Sequence, residues 1–126
     1  MIKGKKYDLK DRFIDFAVRI IQVTDAFPNT ATGKHIGHQL LKCGTSSAAN
    51  YGESQSAESK LDFIHKLKLS LKELRETEIW LKIVSRTILI QPVNKLQPLL
   101  QETDELISIV FKSIDTAKKN IKSQKN

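Results

Sequence analysis

Turn-forming residues gather at only three places in this chain, near Phe27-Pro28-Asn29, Ser54-Gln55-Ser56 and Ile90-Gln91-Pro92. Between them the apolar side chains recur at helical spacing throughout. Three breaks in a helical pattern leave four helices. Phe27, as the residue before proline, is pushed out of the helical region, and Pro28 has no N–H to give the preceding turn. Short connections make successive helices antiparallel neighbours. The expected fold is therefore all-α, an up-down-up-down antiparallel four-helix bundle. A length of 126 residues is one domain by the usual size relation and buries a core without metal or disulfide staples. The helices are expected at roughly 8–26, 32–53, 57–88 and 93–120, with a basic frayed tail over 121–126.

The first helix carries Leu9, Phe13, Phe16, Ile20 and Phe27 on one stripe and turns Lys10, Asp11, Asp15 and Arg19 outward. The second, with Thr32 as N-cap, continues through Ile36, Leu40, Cys43 and Ser47. Gly44, Ala48 and Gly52 recur in it every four residues. Each glycine costs about 1 kcal/mol against alanine inside a helix. Close approach of a neighbouring backbone would offset that; a kink or an early helix end is the plainer reading.

The third helix, capped by Ser56, reads Phe63, Leu67, Ser70, Leu74, Thr77, Leu81, Val84 and Ile88 along a seam. Ile64, Leu71, Ile79 and Ile83 lie off it. A helix apolar on more than one side has to be covered twice, by bundle neighbours and by another subunit. In the fourth helix, Pro98 falls in the first turns or kinks it, and Leu100, Thr103, Ile107, Val110, Ile114, Ala117 and Ile121 follow at the same spacing.

Two polar stripes interrupt this pattern. Ser46, Asn50 and Glu53 stand at i, i+4 and i+7 among tiny side chains of the second helix, and Glu73, Glu76 and Trp80 stand at i, i+3 and i+7 on the third. Matching seams on adjacent helices predict a buried hydrogen-bonded network or an interface. The plainer readings are a core amide at Asn50 that fixes helix register and a tryptophan that fills core or interface.

Motifs for chemistry are scarce. His35 and His38 share a face, but zinc requires three or four ligands and Cys43 is poorly placed around the helix to join them. Glu-x-x-His repeats for a carboxylate-bridged di-iron centre are missing, as are a nucleophile elbow and a phosphate-cradling glycine loop. Two of Glu53, Glu73 and Glu76 form an acid/base pair only if their environments separate their pKa values. The expectation is a non-enzyme with no cofactor and no metal. A single cysteine allows no internal disulfide and fits a reducing cytoplasm. No stretch approaches the ~20 apolar residues of a membrane span, and Met1 to Asp8 contain no apolar leader, so a soluble, unprocessed chain is expected.

Several of these residues together resemble a known family. Gln39-Leu40, Ser46, Asn50 and Glu53 before a polar turn, then Asp62-Phe63, Lys72-Glu73-Leu74-Arg75-Glu76-Thr77 and Trp80-Leu81, resemble the bacterial four-helix-bundle family that includes the 23S rRNA intervening-sequence proteins. The likeness runs from about Tyr7 to Lys119. Tyr51, Gly52 and Ser54 depart from the commonest family pattern. The resemblance implies a homopentamer of bundles, and more distantly the accessory protein of diversity-generating retroelements, a basic pentamer associated with nucleic acid.

Formal charge is +7, and residues 112–126 carry five Lys against one Asp. With that resemblance, the charge points to a scaffold that associates with RNA or DNA. Its phosphate contacts are expected at Lys118, Lys119, Lys122 and Lys125, together with Lys3, Lys5 and Lys6. A pure protein-interaction scaffold with an unidentified protein partner is the alternative, its lysines serving solubility, and a carboxylate-based enzyme or ligand carrier using Glu53, Glu73 and Glu76 stands behind both.

Overall fold

Side-chain caps open the first three helices of the computed structural model, which describes residues 8–125. Asp8 accepts a hydrogen bond from the Asp11 N–H at 2.8 Å and starts α1 (Leu9–Asp25). Thr30 accepts from the Gly33 N–H at 3.0 Å and starts α2 (Ala31–Ser54). The expected cap at Thr32 is thus corrected by two residues, because the Pro28-Asn29 turn is already complete at Thr30. Ser59, not Ser56, starts α3 (Lys60–Ser85) by accepting from the Asp62 N–H at 3.0 Å. Asp62 returns the favour by accepting from the Glu58 N–H at 3.3 Å. That near-reciprocal pair, one variant of the capping box, selects Ser59 from the serines of the turn.

The third break is longer than expected. α3 stops at Ser85, and the Thr87 hydroxyl donates to the Val84 carbonyl at 2.8 Å while accepting from the Leu89 N–H at 3.2 Å. Such local bonding competes with helix continuation. Ile88, expected on the α3 seam, is consequently 84% exposed, and Ile90 folds back into the core. A 3-10 turn over Val93–Leu96 leads into α4 (Gln97–Lys125), with Pro98 in its first turn. α4 continues through the stretch expected to fray, and Ile121 packs half-buried against the core.

α2 packs between α1 and α3, α4 packs on α3 and closes on α1, and α1 and α3 lie diagonally opposite. Successive helices are antiparallel. Phe13 at the start of α1 stacks on Tyr51 near the end of α2, with ring centroids 4.7 Å apart. Phe16, Ile20, Leu40, Leu74, Leu106 and Val110 are all sealed from solvent in one core. Each contributes about 1.5–3 kcal/mol by burial. Arg12 of α1 ties this core to α4 by a forked pair with Glu102, Nη2 to Oε1 at 2.6 Å and Nε to Oε2 at 3.1 Å. A third contact runs to Glu105 at 3.2 Å. The Glu102 hydrogen bond, more than its charge, raises the Arg12 pKa further.

The small-residue stripe of α2 divides in two. A methyl at Gly44 would stand 2.9 Å from both γ carbons of Ile20, so close helix approach does offset this glycine. At Gly52 nothing lies within 4 Å.

Candidate interaction surfaces

The buried polar line between α2 and α3 runs one residue to the side of the expected seam. Ser70 donates to the Ser47 carbonyl at 2.8 Å. The Thr77 hydroxyl donates to the Glu73 carbonyl at 2.8 Å and reaches the Cys43 sulfur at 3.2 Å. Ser54 is also sealed and donates to the Tyr51 carbonyl at 2.6 Å. Every sealed side-chain N or O among the described residues has a partner. Cys43 and Ser47 face α3, and one residue of helix turns a side chain by about 100°. Ser46 and Asn50 therefore stand half-buried on the rim of the α2–α3 groove.

The other seam residues follow the same rim. Glu53 is exposed and binds Lys66 at 2.8 Å, raising the Lys66 pKa. Glu73 is half-buried and Glu76 exposed; Glu76 accepts from Trp80 Nε1 at 3.1 Å. Trp80 is half-buried, with the His35 ring edge-on at 6.0 Å. The expected sealed network of Ser46, Asn50, Glu53, Glu73 and Glu76 is corrected to a partly exposed strip in the single chain. The buried polar work falls to the short hydroxyls of Ser47, Ser70 and Thr77. In the sequence these three stand on the apolar seams at helical spacing, with nothing to mark them as the sealed polar groups.

Glu53 stands apart from Glu73 on this strip. Glu53 is drawn to Lys66, which lies seven residues, or about 10 Å of helix rise, from Glu73. Burial pushes the Cys43 thiol up to about 11, so at neutral pH it is a protonated core group and not a nucleophile. Among the described residues no three His, Cys, Asp or Glu side chains come together as metal ligands. No described helix is long and apolar enough to cross a membrane.

Exposed basic residues gather most closely on two helices. Lys118, Lys119 and Lys122 are exposed on the last turns of α4, where Lys119 pairs with Asp115 at 3.0 Å. Lys125 ends α4 but its side chain lies outside the described residues, as do Lys3, Lys5 and Lys6. A second basic stripe was missed in the sequence: Lys68, Lys72, Arg75 and Lys82 are all exposed on α3, and Arg86, its C-cap, is exposed after them. Their spacing of four, three, seven and four residues, which keeps to one side of a helix, was the available signal.

Comparison with known proteins agrees with this architecture. A model of the family described as 23S rRNA-intervening sequence protein matches residues 5–112. The chain belongs to that family. A solved structure from Bacteroides thetaiotaomicron, a protein of unknown function from the S23 ribosomal protein family, superposes with a TM-score of 0.78 at 34% identity. The match covers 85% of this chain and 98% of that one. No curated protein matches. Family membership thus accounts for the four-helix bundle, and the matched stretch includes the whole α2–α3 groove.

Proposed function

We propose that this member of the 23S rRNA-intervening sequence protein family is a cytoplasmic, non-catalytic, homo-oligomeric scaffold that associates with RNA or DNA. The observation that carries the reading is the end of α4, where Lys118, Lys119 and Lys122 stand exposed over less than two turns. From Lys112 onward the helix has one acid, Asp115. Lysine side chains on a helix neutralise phosphates without reading bases, releasing counterions as they do. Several copies arranged in one particle, five by the resemblance, multiply that field.

Retention on RNA and on DNA, measured from about 50 to 200 mM salt, tests the proposal. Binding is expected to weaken steeply over that range, and Lys118→Gln/Lys119→Gln/Lys122→Gln to lower the logarithmic slope by about one per lysine removed. Affinity that ignores salt ends the phosphate-driven reading. A second reading has its own support: Trp80 is half-exposed beside His35 on the groove rim, the type of aromatic anchor that protein interfaces use. One protein that stays bound after nuclease treatment, with no salt-dependent nucleic-acid retention, favours that scaffold instead.

A further inference from the structure

We infer that copies of this chain join head to tail, the acidic apolar face of α1 on one copy seating on the basic apolar face of α3 of the next. This pairing of faces rests on the self-association proposed above and names the surfaces that carry it. On α1, Ile14, Val18 and Ile21 are 49%, 44% and 40% exposed at i, i+4 and i+7. Asp11, Asp15 and Asp25 flank them, all exposed. The arginines of α1 look elsewhere: Arg12 is held by Glu102 and Glu105, and Arg19 lines a groove with Ile90, Leu96 and Leu99. Lys10 alone adds positive charge, in the first turn.

On α3 the charge is opposite. Ile79 and Ile83, 56% and 39% exposed, line a shallow groove of about 240 Å³ with Lys82 and Arg86. Arg75 and Lys72 continue the stripe one and two turns before Ile79. Two acids border it, Glu78 at 3.9 Å from Lys82 and Glu76 bonded to Trp80. Asp11 to Asp25 and Lys72 to Arg86 each span fourteen residues, about 21 Å of helix. The two faces therefore match in length, in apolar centre and in sign of charge.

Geometry selects the mode of joining. α1 and α3 are diagonal in the bundle, so their outer faces point to opposite sides and one copy cannot satisfy itself. Two α1 faces brought together would oppose aspartates, and two α3 faces would oppose lysines and arginines. That leaves the heterologous contact, which repeats from copy to copy and closes into a ring when the rotation allows. Nucleic acid is the poorer occupant of α3, since phosphates give no cover to exposed isoleucines at the centre of the stripe.

Solution mass by light scattering tests the pairing on the full chain and on two charge-reversed variants, Asp15→Lys/Asp25→Lys and Lys72→Glu/Arg75→Glu, with helical content checked by circular dichroism. The wild-type chain is expected to run as an oligomer and each variant alone as a folded 14.3 kDa monomer. An equimolar mixture should regain a mass well above the monomer, because each contact between unlike variants again meets opposite charge; a ring of five would keep one like pair, so the mixture is compared with the monomer. Ile79→Glu, at an exposed position, should also dissociate without disturbing the fold. If the wild type is oligomeric and both variants keep its mass, or if the mixture stays monomeric, the faces are wrongly assigned. A wild-type monomer at every concentration overturns the self-association itself.

Discussion

One missing methyl at Gly44 sets how near α2 comes to α1. Alanine there would gain about 1 kcal/mol of helix propensity, but it would meet Ile20, whose branched side chain is locked at χ1 inside a helix and has no room to swing. Overpacking of that kind costs about 1–3 kcal/mol. Gly44→Ala should therefore lower the urea midpoint, by up to about 2 kcal/mol in stability. Gly52→Ala meets nothing within 4 Å and should raise it by about 0.5–1 kcal/mol. Movement of both midpoints in one direction would refute the packing difference. The two glycines share a spacing and a helix, and nothing in the sequence separates them. Their neighbours in space do.

α1 is the shortest of the four helices, and its polar tie to α4 is the fork from Arg12 to Glu102. A lysine at that position keeps the charge and loses the planar pair of donors. Both groups are partly exposed, 25% and 18%, so solvent screening limits the loss to about 1 kcal/mol. Denaturation of Arg12→Lys at low salt should show that deficit, and salt near 1 M should shrink it. An unchanged midpoint at low salt would mean that the fork contributes nothing. Element boundaries were legible where a local signal was strong, as with Pro28. Asp62 three residues beyond Ser59 was an available signal for the α3 cap, overlooked because Ser56 stands closer to the end of α2. The stop at Ser85 had no such signal, since Ile88 fits the α3 period and only the Thr87 hydroxyl bonds and the return of Ile90 displace it.

At the scale of the molecule, exposed basic side chains gather on an α3 face proposed to be covered by the next copy and at an α4 end left to solvent. On the proposed function, assembly then matters to nucleic-acid binding through multivalency more than through the charge of one chain. Asp15→Lys/Asp25→Lys offers a test with an unusual sign, because each change adds two positive charges while breaking the proposed contact. Retention on RNA at moderate salt should weaken despite the added charge. Tighter binding by the dissociated variant would show that a single copy suffices.

The order of polar and apolar residues, with turn chemistry at three points, determined four antiparallel helices, since periodicity fixes which face of each helix must leave water. Family membership was legible in particular α2–α3 residues, from Gln39-Leu40 to Trp80-Leu81, that carry the resemblance. Tertiary structure decided which stripe at the α2–α3 contact is sealed. Ser46 and Ser47 are alike in sequence, and a rotation of about 100° between neighbours puts the carbonyl of Ser47 under Ser70 and leaves Ser46 on the rim. It also decided that α1 and α3 lie diagonally apart, and with that the opposite directions in which their unlike faces look. Helical spacing is a property of one segment; burial and direction depend on the partner against which that segment comes to rest.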